Sequence, residues 1–124
     1  MNPRPPILPV AALAAIAGLA VASTQAEAHA RLVGASPAAN ASVATPKAIT
    51  LHFSERLEPK FSGFDVMKAD GGKVAVASSV SAKDRKIIAA AVSGKLAPGA
   101  YMVMWRAVSA DGHRIKGAFN FTVR

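Results

Sequence analysis

Ile49-Thr50-Leu51-His52-Phe53-Ser54 alternates apolar and polar side chains without a break. Successive side chains of an extended chain point to opposite faces, so Ile49, Leu51 and Phe53 line one face and Thr50, His52 and Ser54 the other. The segment reads as a strand with one buried face, and His52 as a solvent-facing residue. The same pattern recurs further along the chain. Phe64 and Val66, with Lys68 in the next like position, alternate with Asp65 and Met67; Phe119, Phe121 and Val123 alternate with Asn120, Thr122 and Arg124. Lys86 to Val92 and Ala100 to Val108 are apolar on both faces, which marks central strands rather than edges.

Turn chemistry separates these runs. Ser36-Pro37 with Asn40, Thr45-Pro46, Pro59, Ser93-Gly94, Pro98-Gly99 and Asp111-Gly112 all punctuate the pattern. Asp70-Gly71-Gly72 stands between the runs 63–69 and 73–78 and predicts a hairpin, because glycine accepts the positive φ of a tight turn. No long amphipathic helix is evident. About seven short strands with frequent turns predict an all-β fold, a small two-sheet sandwich of the immunoglobulin-like or Greek-key type.

Residues 1–28 have the pattern of a secretory signal. Arg4 supplies a sparse positive start, Val10 to Val21 is a run of small and branched apolar residues, and Ala26-Glu27-Ala28 fits the small-x-small cleavage rule. The run is too short for a bilayer span, which needs about 20 residues. Cleavage after Ala28 leaves residues 29–124 as one exported domain with a single core. Cleavage after Ala26 or Ala30 also satisfies the small-residue rule. The full chain carries a net charge of +8, and the signal removes Arg4 and Glu27 together, so the mature domain keeps that charge. Its cations are scattered and few aromatics accompany them, so no nucleic-acid surface is expected. Cysteine is absent, which excludes disulfides, thiolate ligands and a thiol nucleophile.

The residues that point to chemistry are His29, Asp111 and His113. As the first residue of the mature chain, His29 offers its α-amine and its imidazole as one chelate. The reference pKa values of these groups are roughly 7.7–8.0 and roughly 6.5, so protons compete with metal and binding weakens as pH falls. In Asp111-Gly112-His113, residues two apart on an extended segment share a face, and Gly112 lets the backbone bend. A carboxylate and an imidazole then converge with the terminal chelate, giving three nitrogens and one oxygen. That set favours Cu(II) in tetragonal geometry, one ion per chain. The plainer reading of Asp-Gly followed by His is a surface turn, and the metal reading depends on its pairing with His29.

The mature chain resembles the CopC family of periplasmic copper-binding proteins over nearly all its length. The resemblance runs through His29-Ala30, Ser36-Pro37-Ala38, Leu51-His52-Phe53-Ser54-Glu55 and Gly99-Ala100-Tyr101. It continues in Trp105-Arg106 leading to Ser109-Ala110-Asp111-Gly112-His113, then Gly117 and Phe119. The resemblance implies a β-sandwich that holds Cu(II) through His29, Asp111 and His113, with Glu55 as an axial ligand or a group beside the copper. It also implies a periplasmic copper-homeostasis or resistance protein without turnover, which passes its ion to an inner-membrane partner of the CopD type. A monomer is expected. Some members of the family carry a methionine-rich Cu(I) loop. Here only Met67, Met102 and Met104 remain after the signal, Met102 and Met104 read as core filling, and no dedicated Cu(I) site is expected. Trp105 is expected in the core or beneath the site.

Two other functions compete. A copper-dependent oxygenase also uses an N-terminal histidine, but this short chain has no long loops for a substrate face, and an Asp111 ligand fills the coordination plane. A metal-free interaction module would use the basic surface, and Arg106, Arg114 and Lys116 flank the proposed copper.

Overall fold

A computed structural model describes residues 30–124 of the chain; the expected signal segment 1–28 and His29 lie outside the described residues. These residues form two sheets packed face to face. The strands are β1 (Leu32–Ser36), β2 (Ser42–Val43), β3 (Ala48–Phe53), β4 (Gly63–Lys68), β5 (Lys73–Val74), β6 (Ser79–Val80), β7 (Ile87–Ala91), β8 (Gly99–Val108) and β9 (Arg114–Val123), with one 3-10 turn at Pro59–Phe61. One sheet has the order β1-β3-β7-β6 and the other β2-β9-β8-β4-β5. The all-β sandwich is as expected. The strand number is higher than the expected seven because β2 and β6 are two-residue edge strands, too short to leave an alternation in the sequence; the run 73–78, read as a strand, pairs only over Lys73–Val74 as the edge strand β5.

The alternating faces meet in the core. Ile49, Leu51, Phe53 and Ile88 from the first sheet pack against Phe64, Val66, Tyr101, Val103, Phe121 and Val123 from the second. His52 is exposed, on the opposite face of β3 from its apolar neighbours. Tyr101 stacks on Phe121 with centroids 5.5 Å apart and donates its hydroxyl to the Ala97 carbonyl at 2.6 Å, so its polar end is satisfied while its ring is buried. The hairpin at Asp70-Gly71-Gly72 forms with Gly71 at φ 91°, and β4 pairs β5 through Val66 with Val74 and Met67 with Lys73. Both runs expected in the interior of a sheet are interior: β7 lies between β3 and β6, and β8 between β9 and β4.

Met102 and Met104 do share a face of β8, but it is the outer face, with Met102 40% exposed, and they are not core filling. The inner face of β8 carries Tyr101 and Val103, and these larger or stiffer groups occupy the core. Met67 lies directly across from Met102 on the neighbouring strand. An apolar residue on a strand that is apolar on both faces does not reveal which face is inside.

Trp105 closes the sandwich at the end where β8 turns into β9. Its ring packs edge-on against Phe53 of the opposite sheet, with centroids 5.2 Å apart and planes at 73°. Across the β8–β9 ladder its partner is Gly117. A Cβ at Gly117 would come within 2.5 Å of the indole, so the ring fits only because the partner has no side chain. Gly117→Ala is therefore expected to destabilise the protein by about 1–3 kcal/mol, the usual cost of overpacking. Gly34→Ala, where a Cβ meets nothing within 4 Å, is expected to be neutral or slightly stabilising. Urea unfolding of the two variants, compared at unchanged m-value, tests both.

Candidate metal centre

The candidate site is built on the loop that joins β8 to β9. Ser109 leaves β8 buried, only 1% exposed, and forms an isolated bridge with Leu57. Its amide donates to the His113 carbonyl at 2.9 Å, and the Gly112 amide donates back to the Ser109 carbonyl at 2.8 Å. These bonds close a tight turn, which Gly112 completes at φ 93°, a conformation that a side chain would strain. Asp111 and His113 thus come together through a turn and not through the extended alternation expected from the sequence. The His113 Nδ1 lies 3.0 Å from Asp111 Oδ2, and both side chains are exposed.

Ser109 is the residue to which the sequence assigned no role. Its hydroxyl donates to Asp111 Oδ1, and the His113 amide donates to the same oxygen at 3.3 Å. A serine two residues before an aspartate in a turn was the available signal. These donors favour the ionised carboxylate. The Ser109 hydroxyl first, and then the His113 imidazole, hold Asp111 at about 2 against its ordinary 3.8.

Glu55 is brought to the same place. The Ala110 amide donates to the Arg56 carbonyl at 3.0 Å, which lays segment 55–57 against the turn. Glu55, Arg56, Ser109, Ala110 and Asp111 line one shallow pocket of about 290 Å³. The N-terminal segment is tied to the residue just before Glu55: the Arg31 amide donates to Ser54 Oγ, and the Ser54 amide donates to the Arg31 carbonyl, each at 2.9 Å. Ala30 is buried in the core at 4% exposure. His29, the remaining expected ligand, lies outside the described residues. No group of three or more His, Cys, Asp or Glu gathers among the described residues, and the half of the expected donor set that they include is the Asp111 carboxylate and the His113 imidazole. The chemistry of that half, one carboxylate and one imidazole, suits a borderline divalent ion and leaves coordination positions for further nitrogen donors.

The depressed Asp111 value carries a sign. The ionised carboxylate favours the folded turn; its contribution is full above pH 3.8 and is lost as the pH falls through about 2. In metal-free protein, carbon-detected NMR titration of the Asp111 carboxyl is expected to give a midpoint near 2, and Ser109→Ala should move it toward 3.8. A midpoint unmoved by Ser109→Ala would show that the serine does not hold the carboxylate.

Comparison with known proteins places this geometry in a family. The CopC domain family matches residues 32–124. "Protein YobA" of Escherichia coli (strain K12) is 44% identical over 102 residues, covering 78% of this chain and 80% of that protein. "Copper resistance protein C" of Pseudomonas syringae pv. tomato is 42% identical over 114 residues, covering 87% and 90%. Among solved structures, PcoC, described as a methionine-rich copper resistance protein from Escherichia coli, superposes with a TM-score of 0.72 at 38% identity. The match covers 78% of this chain and all of that one. With a family match from β1 to the last residue and relatives of this identity and coverage, the chain belongs to the CopC family.

Proposed function

We propose that this chain is an exported carrier of Cu(II). Cleavage after Ala28 would leave residues 29–124 as the working domain in the periplasm, with His29 at its N-terminus. One copper ion would be held by the amine and imidazole of His29, the carboxylate of Asp111 and the imidazole of His113, with Glu55 beside it. The family is one of copper-binding proteins and not of enzymes, which sets the oxygenase reading aside.

The observation that carries the reading is the preordered pair: Asp111 and His113 are in contact, on a turn locked by Ser109. The hydrogen bonds between Arg31 and Ser54 support it further, because they anchor the chain two residues after His29 next to the pocket that Glu55 and Asp111 share. Asp111 is already ionised at every pH at which the nitrogen donors can bind metal, so it offsets one positive charge of the ion without competing with a proton. The carboxylate and imidazole are exposed, as a cargo that must be handed on requires. Delivery would be from the monomer to an inner-membrane copper protein of the CopD type.

Mass spectrometry of the exported protein, followed by Cu(II) titration with electron paramagnetic resonance, tests the assignment. The expected result is a chain starting at His29 that binds one Cu(II) with a nitrogen-rich tetragonal spectrum. His113→Ala should weaken binding by about 100-fold or more, since even groups that only support a ligand cost 10–100-fold. Acidification should release the copper as the nitrogen donors take up protons. A chain that starts elsewhere, or a His113→Ala protein with unchanged affinity and spectrum, would overturn the site.

A further inference from the structure

The outer face of the five-stranded sheet carries a feature that copper binding does not use. At the end next to the β8–β9 turn, Phe61 is 52% exposed, and it is the one aromatic side chain exposed among the described residues. It does not hang loosely. The Phe61 amide donates to the Glu58 carbonyl at 3.2 Å, the Glu58 amide to the Val108 carbonyl at 2.8 Å, and the Val108 amide to Ser62 Oγ at 3.0 Å, so the 3-10 turn is clamped to β8. An anchor already held in place loses little freedom when something packs on it.

Cations surround this ring. The Arg114 guanidinium sits 5.8 Å from its centroid, within cation–π range. Arg106 lies directly across the ladder from Lys116, an arrangement of like charges that costs stability in a sheet. Asp65 is the one carboxylate in ion-pair range here, and it is shared between Arg106 at 3.4 Å and Lys73 at 3.7 Å. Arg114 and Lys116 make no ion pair with a carboxylate among the described residues. Together Phe61, Val108, Arg106, Arg114 and Lys116 line a groove of about 370 Å³ with an apolar floor and a cationic rim.

We propose that this groove docks an acidic, extended segment of a protein partner, with an apolar side chain seated on Phe61 and Val108 and carboxylates on Arg106, Arg114 and Lys116. The charge pattern selects the occupant: Arg114 and Lys116, which have no carboxylate partner among the described residues, and Arg106, which shares Asp65 with Lys73, call for further carboxylates, and the exposed Phe61 ring calls for an apolar residue between them. The concave shape favours a peptide over a lipid surface, which engages protruding apolar groups. The inference stands apart from the copper assignment, because none of the proposed copper ligands lines the groove.

The test uses the whole protein and a short fluorescein-labelled peptide of Glu and Asp flanking a central Leu, read by fluorescence anisotropy at physiological ionic strength. Arg114→Gln combined with Lys116→Gln should weaken binding about tenfold, a change of about 1.4 kcal/mol, and Phe61→Ser should weaken it comparably. Lys83→Gln with Lys95→Gln, which removes the same charge from remote loops, should change it less than about twofold. Amide NMR shifts on peptide addition should map to 60–62, 106–108 and 114–116; they report the site in the unaltered protein, so a variant that fails to fold does not decide the matter. Equal loss in the remote variant, equal binding of a peptide without the Leu, or shifts elsewhere would overturn the proposal. So would phosphatidylglycerol vesicles binding in a Phe61-dependent way while the peptide does not, which would make the face a membrane contact.

Discussion

The unbroken β8–β9 ladder is the constraint on which the rest of the molecule depends. Every residue from Gly99 to Val108 pairs in register with one from Val123 back to Arg114, and the register leaves no slack at the connecting turn. A slip of one residue would send Tyr101, Val103 and Phe121 to the solvent face, so burial of those side chains fixes the register. Trp105 adds a steric lock. Its ring fills the space above Gly117 and reaches Phe53 of the other sheet, joining the two layers at the end where the turn emerges. Because the ladder ends at Val108 and Arg114, Ser109 must enter the turn buried, and its hydroxyl finds a partner in Asp111.

From this follows a candidate site whose carboxylate and imidazole are oriented by the fold itself. A surface carboxylate and imidazole ordinarily sample many rotamers, and fixing them costs conformational entropy at the moment of binding. Here folding has already met that cost, through the hydrogen bonds of Ser109, the His113 amide and the Asp111–His113 contact. The arrangement would also meet two separate demands of the proposed carrier role. The backbone of the turn is held firmly by β8 and β9, while the Asp111 and His113 side chains stay exposed to solvent. No disulfide supports any of this; the two-sheet core and the hydrogen bonds of Ser109, Ala110 and Gly112 hold the turn in place.

The strongly basic character of the chain is unevenly arranged. Near the candidate metal centre the acidic groups Glu55 and Asp111 share one pocket with a single cation, Arg56. A short distance along the same hairpin, Arg106, Arg114 and Lys116 form a cationic rim about Phe61. Two faces of one hairpin end therefore present opposite chemistries, one suited to a cation and the other to an anionic protein segment. The fold tolerates the like charges of Arg106 and Lys116 because that face is open to water, where their repulsion is screened.

By itself the sequence determined which segments are strands and where the chain turns, since alternation and Asp-Gly or Pro-Gly chemistry are written locally at Ile49 to Ser54, Phe119 to Arg124, Asp70-Gly71-Gly72 and Asp111-Gly112. It also put Asp111 and His113 within reach of one another, because they are close neighbours in the chain. The tertiary structure alone decided the order of strands, the outward face of Met102 and Met104, and the meeting of Glu55 with Asp111. It also decided the burial of Ser109 against Leu57 and the seating of Arg114 over Phe61. The physical reason is the same in each case. A period of two states that a strand has two faces but not which faces inward when both are apolar, and contacts between residues some fifty positions apart are set by sheet order and register, which arise only when the whole core is packed.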